Sequence, residues 1–252
     1  AGHDPGDPLS SDRPVPDYAA ALLPDLRGLT LAVVREMTWP DAIHPEVRSA
    51  MEAALDVLRG LGATVKEISL KLVKHAVPLQ LLTSDSDIAS MMLKRWLKTR
   101  YRDFDVGTRT RLAAGCLIPA TIYHRAMRAR ALVRQEVLAA LSGCDALLAP
   151  TNLNPPGLND AVREKVETVD DMDTRILMRR ISCYPFSIAN IPAIAVPMGY
   201  TRAGLPVSLQ VGAKPFDEAA VFRVAHAYER ATAWHQRHPD LDRTLAPAQE
   251  AA

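Results

Sequence analysis

A chain of 252 residues is long enough for one large α/β domain or two small ones. Hydrophobic residues make up 48% and charged residues 23%, and 30 basic against 29 acidic groups leave a net charge of +1, a balance that advertises neither nucleic acid nor a membrane as a partner. No stretch approaches the roughly 18 uncharged apolar residues a spanning helix needs, and the first residues lack the basic and apolar regions of a secretory signal, so the reading is cytoplasmic.

The chain opens without a methionine on AGHDPGDPLSSDRP, where Pro5, Pro8, Pro14 and Pro16 exclude helix up to Tyr18; it reads as a chain entered midway. A strand is predicted over Leu29 to Val34, then a loop through Trp39 and Pro40, a helix from Pro45 to Arg59 and a strand over Ala63 to Ile68. In the helix Val47, Met51, Ala54, Leu55 and Leu58 repeat at helical spacing, Pro45 suits the first turn, and Gly60 and Gly62 supply the stop. Two strands joined this way lie parallel.

From Leu70 to Leu141 the pattern is helical, diffuse over His75 to Trp96 and clear over Pro119 to Leu141. There Ile122, Ala126, Ala129, Val133, Val137 and Leu141 form one apolar stripe, while Arg125, Arg128 and Arg134 read as a solvated face. DALLAP (Asp145 to Pro150) predicts a buried strand opening onto the turn-rich TNLNPPG, and the polar residues 155–182 end in a predicted helix through Thr174 to Arg180. PAIAVPMGY and LPVSLQVGA, separated by TRAG with Gly204, read as two strands, and Asp217 caps a last helix reaching about His235, with Val221, Ala225, Tyr228 and Thr232 on one face.

Chemistry-bearing motifs are scarce. The chain has no GxxxxGK[ST], GxGxxG, HExxH or GxSxG. Cys116, Cys144 and Cys183 are odd in number and widely spaced, which points to reduced thiols rather than a disulfide framework or zinc site. Asp85 and Asp87, like Asp170, Asp171 and Asp173, lack calcium-loop spacing and read as caps or solvated acids. His235 and His238 have no third ligand near them in sequence and read as surface histidines, and Cys183 would be a nucleophile only beside a histidine.

The run PFSIANIPAIAVPMGYTRAGLPVSLQVGAKPFDEAAVFRVAHAYERATAWH (Pro185 to His235) closely resembles the C-terminal motif of the amidase-signature family. The opening AGHDPGDPLSSDRPVPDY, the stretch GLTLAVVREMTWPDAIHPEVRSAMEAALDVLRGLGATV and DALLAPTNLNPPG resemble segments of the same family; residues 70–105 and 158–180 match poorly. The resemblance implies an α/β fold, a mixed β-sheet flanked by helices on both faces, with residues 1–252 forming the C-terminal portion of a single amidase domain. It implies hydrolysis of a small-molecule carboxamide without cofactor or metal, using a serine, a second serine with a cis peptide bond and a lysine. Those belong to a Gly/Ser-rich segment preceding the region that Ala1 matches, so this chain is expected to carry no catalytic residue and to be inactive alone.

What the chain is expected to supply is pocket wall. In the family's glutamine-using amidotransferase members, an arginine and an aspartate hold the charged ends of the substrate. TRLAAG places Arg111 at the arginine, whereas Arg180 occupies the place of the aspartate. An arginine cannot accept an α-ammonium, so the resemblance implies a general amidase rather than a glutamine-using member. A homodimer is compatible with it. Two other readings stay open: a stand-alone α/β small-molecule binding module, and a non-catalytic partner protein.

Overall fold

The computed structural model describes residues 2–93, 96, 98–157 and 180–238. Five strands, β1 (Thr30–Val34), β2 (Thr64–Ile68), β3 (Ala146–Pro150), β4 (Ala193–Tyr200) and β5 (Pro206–Ala213), form one sheet in the order β2-β1-β3-β5-β4. β1 pairs parallel with β2 and β3, whereas β5 runs antiparallel to both β3 and β4, so the sheet is mixed as expected. The helices are α1 (Arg35–Thr38), α2 (Pro45–Gly60), α3 (Ala76–Met92), α4 (Val106–Leu117), α5 (Ala120–Leu141), α6 (Tyr184–Ala189) and α7 (Glu218–Ala231).

Alternation along the inner strands explains the layering. Leu31 and Val33 of β1 and Leu148 of β3 face a core built with α2 and α7, while Ala32, Val34, Leu147 and Ala149 face the opposite core with α1, α5 and α6. A strand covered on both faces must be apolar throughout, and every residue of β3 is buried. The five predicted apolar positions of α2 are its buried ones, and His44 Nδ1 accepts the Glu46 N–H at its start. At the outer edge, β4 accommodates Pro197, which has no N–H to donate, beside a register shift at Gly199.

Several expectations are corrected. Between β1 and the loop at Trp39 and Pro40 stands a one-turn helix, whose Met37 is buried in the core that α5 also lines and whose Thr38 hydroxyl donates to Leu148 O at 3.5 Å. Ile122 is exposed, so the stripe of α5 narrows to Ala126, Val133, Val137 and Leu141. Arg134 is not solvated: it donates to Ala189 O at the carboxyl end of α6. The last helix stops at Ala231, where Thr232 turns extended and its hydroxyl donates to Tyr228 O, before a short 3-10 turn at Trp234–Gln236. The helix predicted over Thr174 to Arg180 falls, apart from Arg180, outside the described residues.

The connection from β2 to α3 is clamped by two carboxylates. Glu36 accepts from the Ser69 hydroxyl and from Leu70 N–H at 2.9 Å, and Glu136 accepts from Lys71 and Leu72 N–H, both at 2.9 Å. Burial pushes the Glu36 carboxyl up, but the bonds from Ser69 and Leu70 outweigh it and hold the group below its ordinary value. A carboxyl depressed on folding adds stability above its unfolded value and loses it as pH falls through the folded value. Glu36→Gln should therefore cost about 1 kcal/mol near neutral pH, with the gap to wild type closing in acid. Urea unfolding across pH measures this; a gap that stays constant into acid would exclude the electrostatic account.

Candidate functional site

Where α3 crosses α4, Gly115 lies directly against the backbone of Asp85: a Cβ at Gly115 would sit 2.7 Å from the Asp85 carbonyl carbon and 2.9 Å from Ala89 Cβ. The close approach lets Arg111 of α4 reach Asp85 of α3, and its guanidinium donates to Asp85 Oδ1. This hydrogen bond raises the Arg111 titration above its ordinary range against an opposing effect of burial. A cleft of about 60 Å³ lies here, lined by Asp85, Ile88, Thr108, Arg111 and Leu112.

Arg180 contacts Tyr184 directly. Its Nη1 donates to Tyr184 Oη at 2.7 Å, and its guanidinium carbon lies 5.5 Å from the centre of the Tyr184 ring. The turn that presents Tyr184 is fixed from below, because Ser182 Oγ donates to Met37 O at 3.0 Å and Gln210 Nε2 donates to Ser182 O at 2.8 Å, with Ser182, Met37 and Gln210 all buried. Of the two arginines singled out in the sequence, Arg180 is bonded to Tyr184 and Arg111 to Asp85. On the rim, Tyr123 donates its hydroxyl to Asp87 at 2.8 Å, a bond that raises the phenol's titration, and Arg130 donates to Thr83 Oγ1 at 2.6 Å.

The other sequence candidates divide. Asp85 and Asp87 are occupied by Arg111 and Tyr123, and Asp170, Asp171 and Asp173 lie outside the described residues. His235 and His238 are exposed, and among the described residues no group of three or more His, Cys, Asp or Glu is placed to hold a metal ion. Burial pushes the Cys183 thiol up, and its S–H donates to Thr151 O at 3.0 Å, which opposes the thiolate a nucleophile needs. Cys144 is shifted the same way by burial, and all three cysteines are free. A wider open groove of about 650 Å³ between Arg13, Val15, Tyr18 and Phe216 lies away from this cluster. Among the described residues the buried side-chain oxygens without a partner are Gln80 Oε1 on α3 and Thr151 Oγ1 just beyond β3.

Tyr184 and the pairing role of Asp85 do not emerge from the sequence reading. Tyr184 stands four residues after Arg180 and immediately before Pro185, a spacing that one turn of helix converts into contact, and this is the signal that points to it.

The family model described as Amidase matches residues 1–222. The chain belongs to the amidase family. The glutamyl-tRNA(Gln) amidotransferase A-type subunit of Thermosynechococcus vestitus is 32% identical over 264 residues, covering 96% of this chain and 53% of that protein. Its counterpart in Roseiflexus sp. is 35% identical, with 96% and 52% covered. Among solved structures, the corresponding amidotransferase protein of Thermotoga maritima superposes with a TM-score of 0.72 at 27% identity over 92% of this chain and 48% of that one. A bacterial aryl acylamidase of the amidase signature family gives 0.78 at 22% identity over 93% and 50%, a likeness of fold. This amidase chain therefore spans about half the length of the curated relatives it matches. Among its described residues no helix is long and apolar enough to cross a membrane.

Proposed function

We propose that this amidase chain is the pocket-bearing, C-terminal portion of an enzyme that hydrolyses a carboxamide C–N bond to a carboxylate and ammonia. A serine attacks the amide carbon, ammonia leaves with the proton relayed by a lysine through the second serine, and water releases the acyl group from the first. Backbone N–H groups of a Gly/Ser-rich loop stabilise the oxyanion. Those residues belong to the other half of the fold; this chain contributes Arg111 and Arg180 as substrate-contacting groups. The observation that carries the reading is the family match over residues 1–222, beside which Arg111 lines a small cleft with Asp85 and Arg180 is bonded to Tyr184.

A general amidase is favoured over a glutamine-using amidotransferase, although the relatives named above carry the latter's name. Arg180 occupies one side of Tyr184, and a guanidinium has no acceptor for an ammonium.

The 252-residue chain alone should release no ammonia from aryl or alkyl amides. A protein extended in the N-terminal direction to the full length of its relatives should do so and lose activity to serine-directed reagents. In that longer protein Arg111→Ala should raise KM at least about tenfold, the loss of a charge-assisted hydrogen bond. Turnover by the short chain that survives repurification and serine-directed inhibitors would overturn the proposal.

A further inference from the structure

Independently of the amide-pocket reading, we infer that two copies of this chain pair through the outer edge of β4, antiparallel about a twofold axis. The two edges of the sheet differ in chemistry. β2 presents the largely exposed TVKEI, in which Lys66 donates to Gly143 O at 2.7 Å and Glu67 pairs with Arg35 at 2.7 Å; charges of this kind keep a foreign strand off an edge. β4 reads AIAVPMGY, without one charged residue, and among the described residues it pairs with β5 alone.

The register shows which backbone groups point outward. Ala213 N–H donates to Pro192 O at 3.1 Å, and in an antiparallel ladder residues directed at the partner strand alternate with residues directed away from it. Ile194 and Val196 therefore bond to β5, whereas the N–H and C=O of Ala193 and Ala195, and the C=O of Pro197, face the open edge. Pro197 stands at an outward position, where its missing N–H costs the hairpin no bond. Ala193 and Ala195 are exposed and small, so a second backbone can approach. An uncharged row of outward donors and acceptors is completed by another extended strand. A second copy supplies a matching one. With Ile194 opposite its copy, Ala193 of each chain faces Ala195 of the other, and each facing pair exchanges both of its N–H···O bonds, while Pro197 ends the pairing. The arrangement closes on itself: the two five-stranded sheets become one whose outer edges are both β2, with Lys66 and Glu67, so no third copy adds. A net charge of +1 opposes the approach only weakly.

A strand-to-strand contact is small against the ~1,200 Å² at the lower end of stable interfaces, so the expected dimer is weak, with a dissociation constant of ~10–100 μM. Sedimentation velocity of the 252-residue chain should show monomer near ~1 μM and dimer at several times the dissociation constant. Over the same range, amide hydrogen exchange at Ala193 and Ala195 should slow at least about tenfold. Ala195→Pro should abolish the dimer without lowering the urea midpoint of the dilute monomer, because the N–H it removes bonds nothing within the chain. Ala195→Lys, which keeps that N–H, should weaken the dimer at least about tenfold by bringing like charges together. A chain that stays monomeric at every concentration overturns the inference, and so does a dimer that survives both substitutions, since it is then built elsewhere. A monomer in which both amides are already protected also overturns it, because another segment then covers the edge.

Discussion

Gly115→Ala should destabilise this chain by about 2–4 kcal/mol, even though alanine is the better helix former. In an open helix the exchange would gain about 1 kcal/mol. Here the new Cβ would lie 2.7 Å from the carbonyl carbon of Asp85 and 2.9 Å from Ala89 Cβ, and a peptide group inside α3 cannot rotate away as a flexible side chain would. The helices must separate, and overpacking of this kind costs about 1–3 kcal/mol, more where backbone must move. Because Arg111 sits one turn before Gly115 on α4, separation also lengthens its bond to Asp85. The expected result is a lowered urea midpoint together with a shifted Arg111 side-chain signal. An alanine variant as stable as wild type would mean that α3 and α4 do not approach this closely.

Phe186→Ala should cost about 3–5 kcal/mol, since the ring is 2% exposed and joins α6 to the sheet among Val34, Leu147 and Ala149. Facing it is Gly212 of β5, where a Cβ would come within 3.0 Å of two ring carbons and 3.1 Å of Ile191 Cδ1. Gly212→Val alone should then cost about 1–3 kcal/mol by overpacking. Together the two changes should cost less than their sum, because the added valine fills part of the space the ring vacates. Equilibrium unfolding of both singles and the double closes the cycle. Strict additivity would show that the ring does not rest on Gly212.

The sheet and its main helices are legible in the sequence because their burial patterns are simple. Val47, Met51, Ala54, Leu55 and Leu58 announce one face of α2, and DALLAP, apolar at every position of its strand, announces one buried on both sides. Gly204, at a φ of +78°, marks the β4–β5 turn as its sequence setting suggests. What is not legible depends on tertiary contact. Nothing in Ile122 distinguishes it from Val133 until α5 is laid against its neighbours, and Arg134 looks solvated until the end of α6 arrives beneath it. At the candidate site both arginines are identified by resemblance, but the partner of Arg111 is not, because residues 70–105, which supply Asp85, match the family motifs poorly. Local spacing offers Asp85 only a cation or a cap, whereas the side chain that claims it stands 26 positions along the chain.

The strand order carries a consequence for how the molecule assembles. β3 lies between β1 and β5, and the bond from Thr30 N–H to Asp145 Oδ2 that marks its junction with β1 spans 115 positions of sequence. Helices α2 to α5 can form from local contacts in microseconds, but the strand at the centre of the sheet has no local partner to nucleate on. The β1–β2 pair and the β4–β5 hairpin are therefore expected to form as separate units joined only when the DALLAP segment docks between them, and that docking is the step expected to govern the refolding rate.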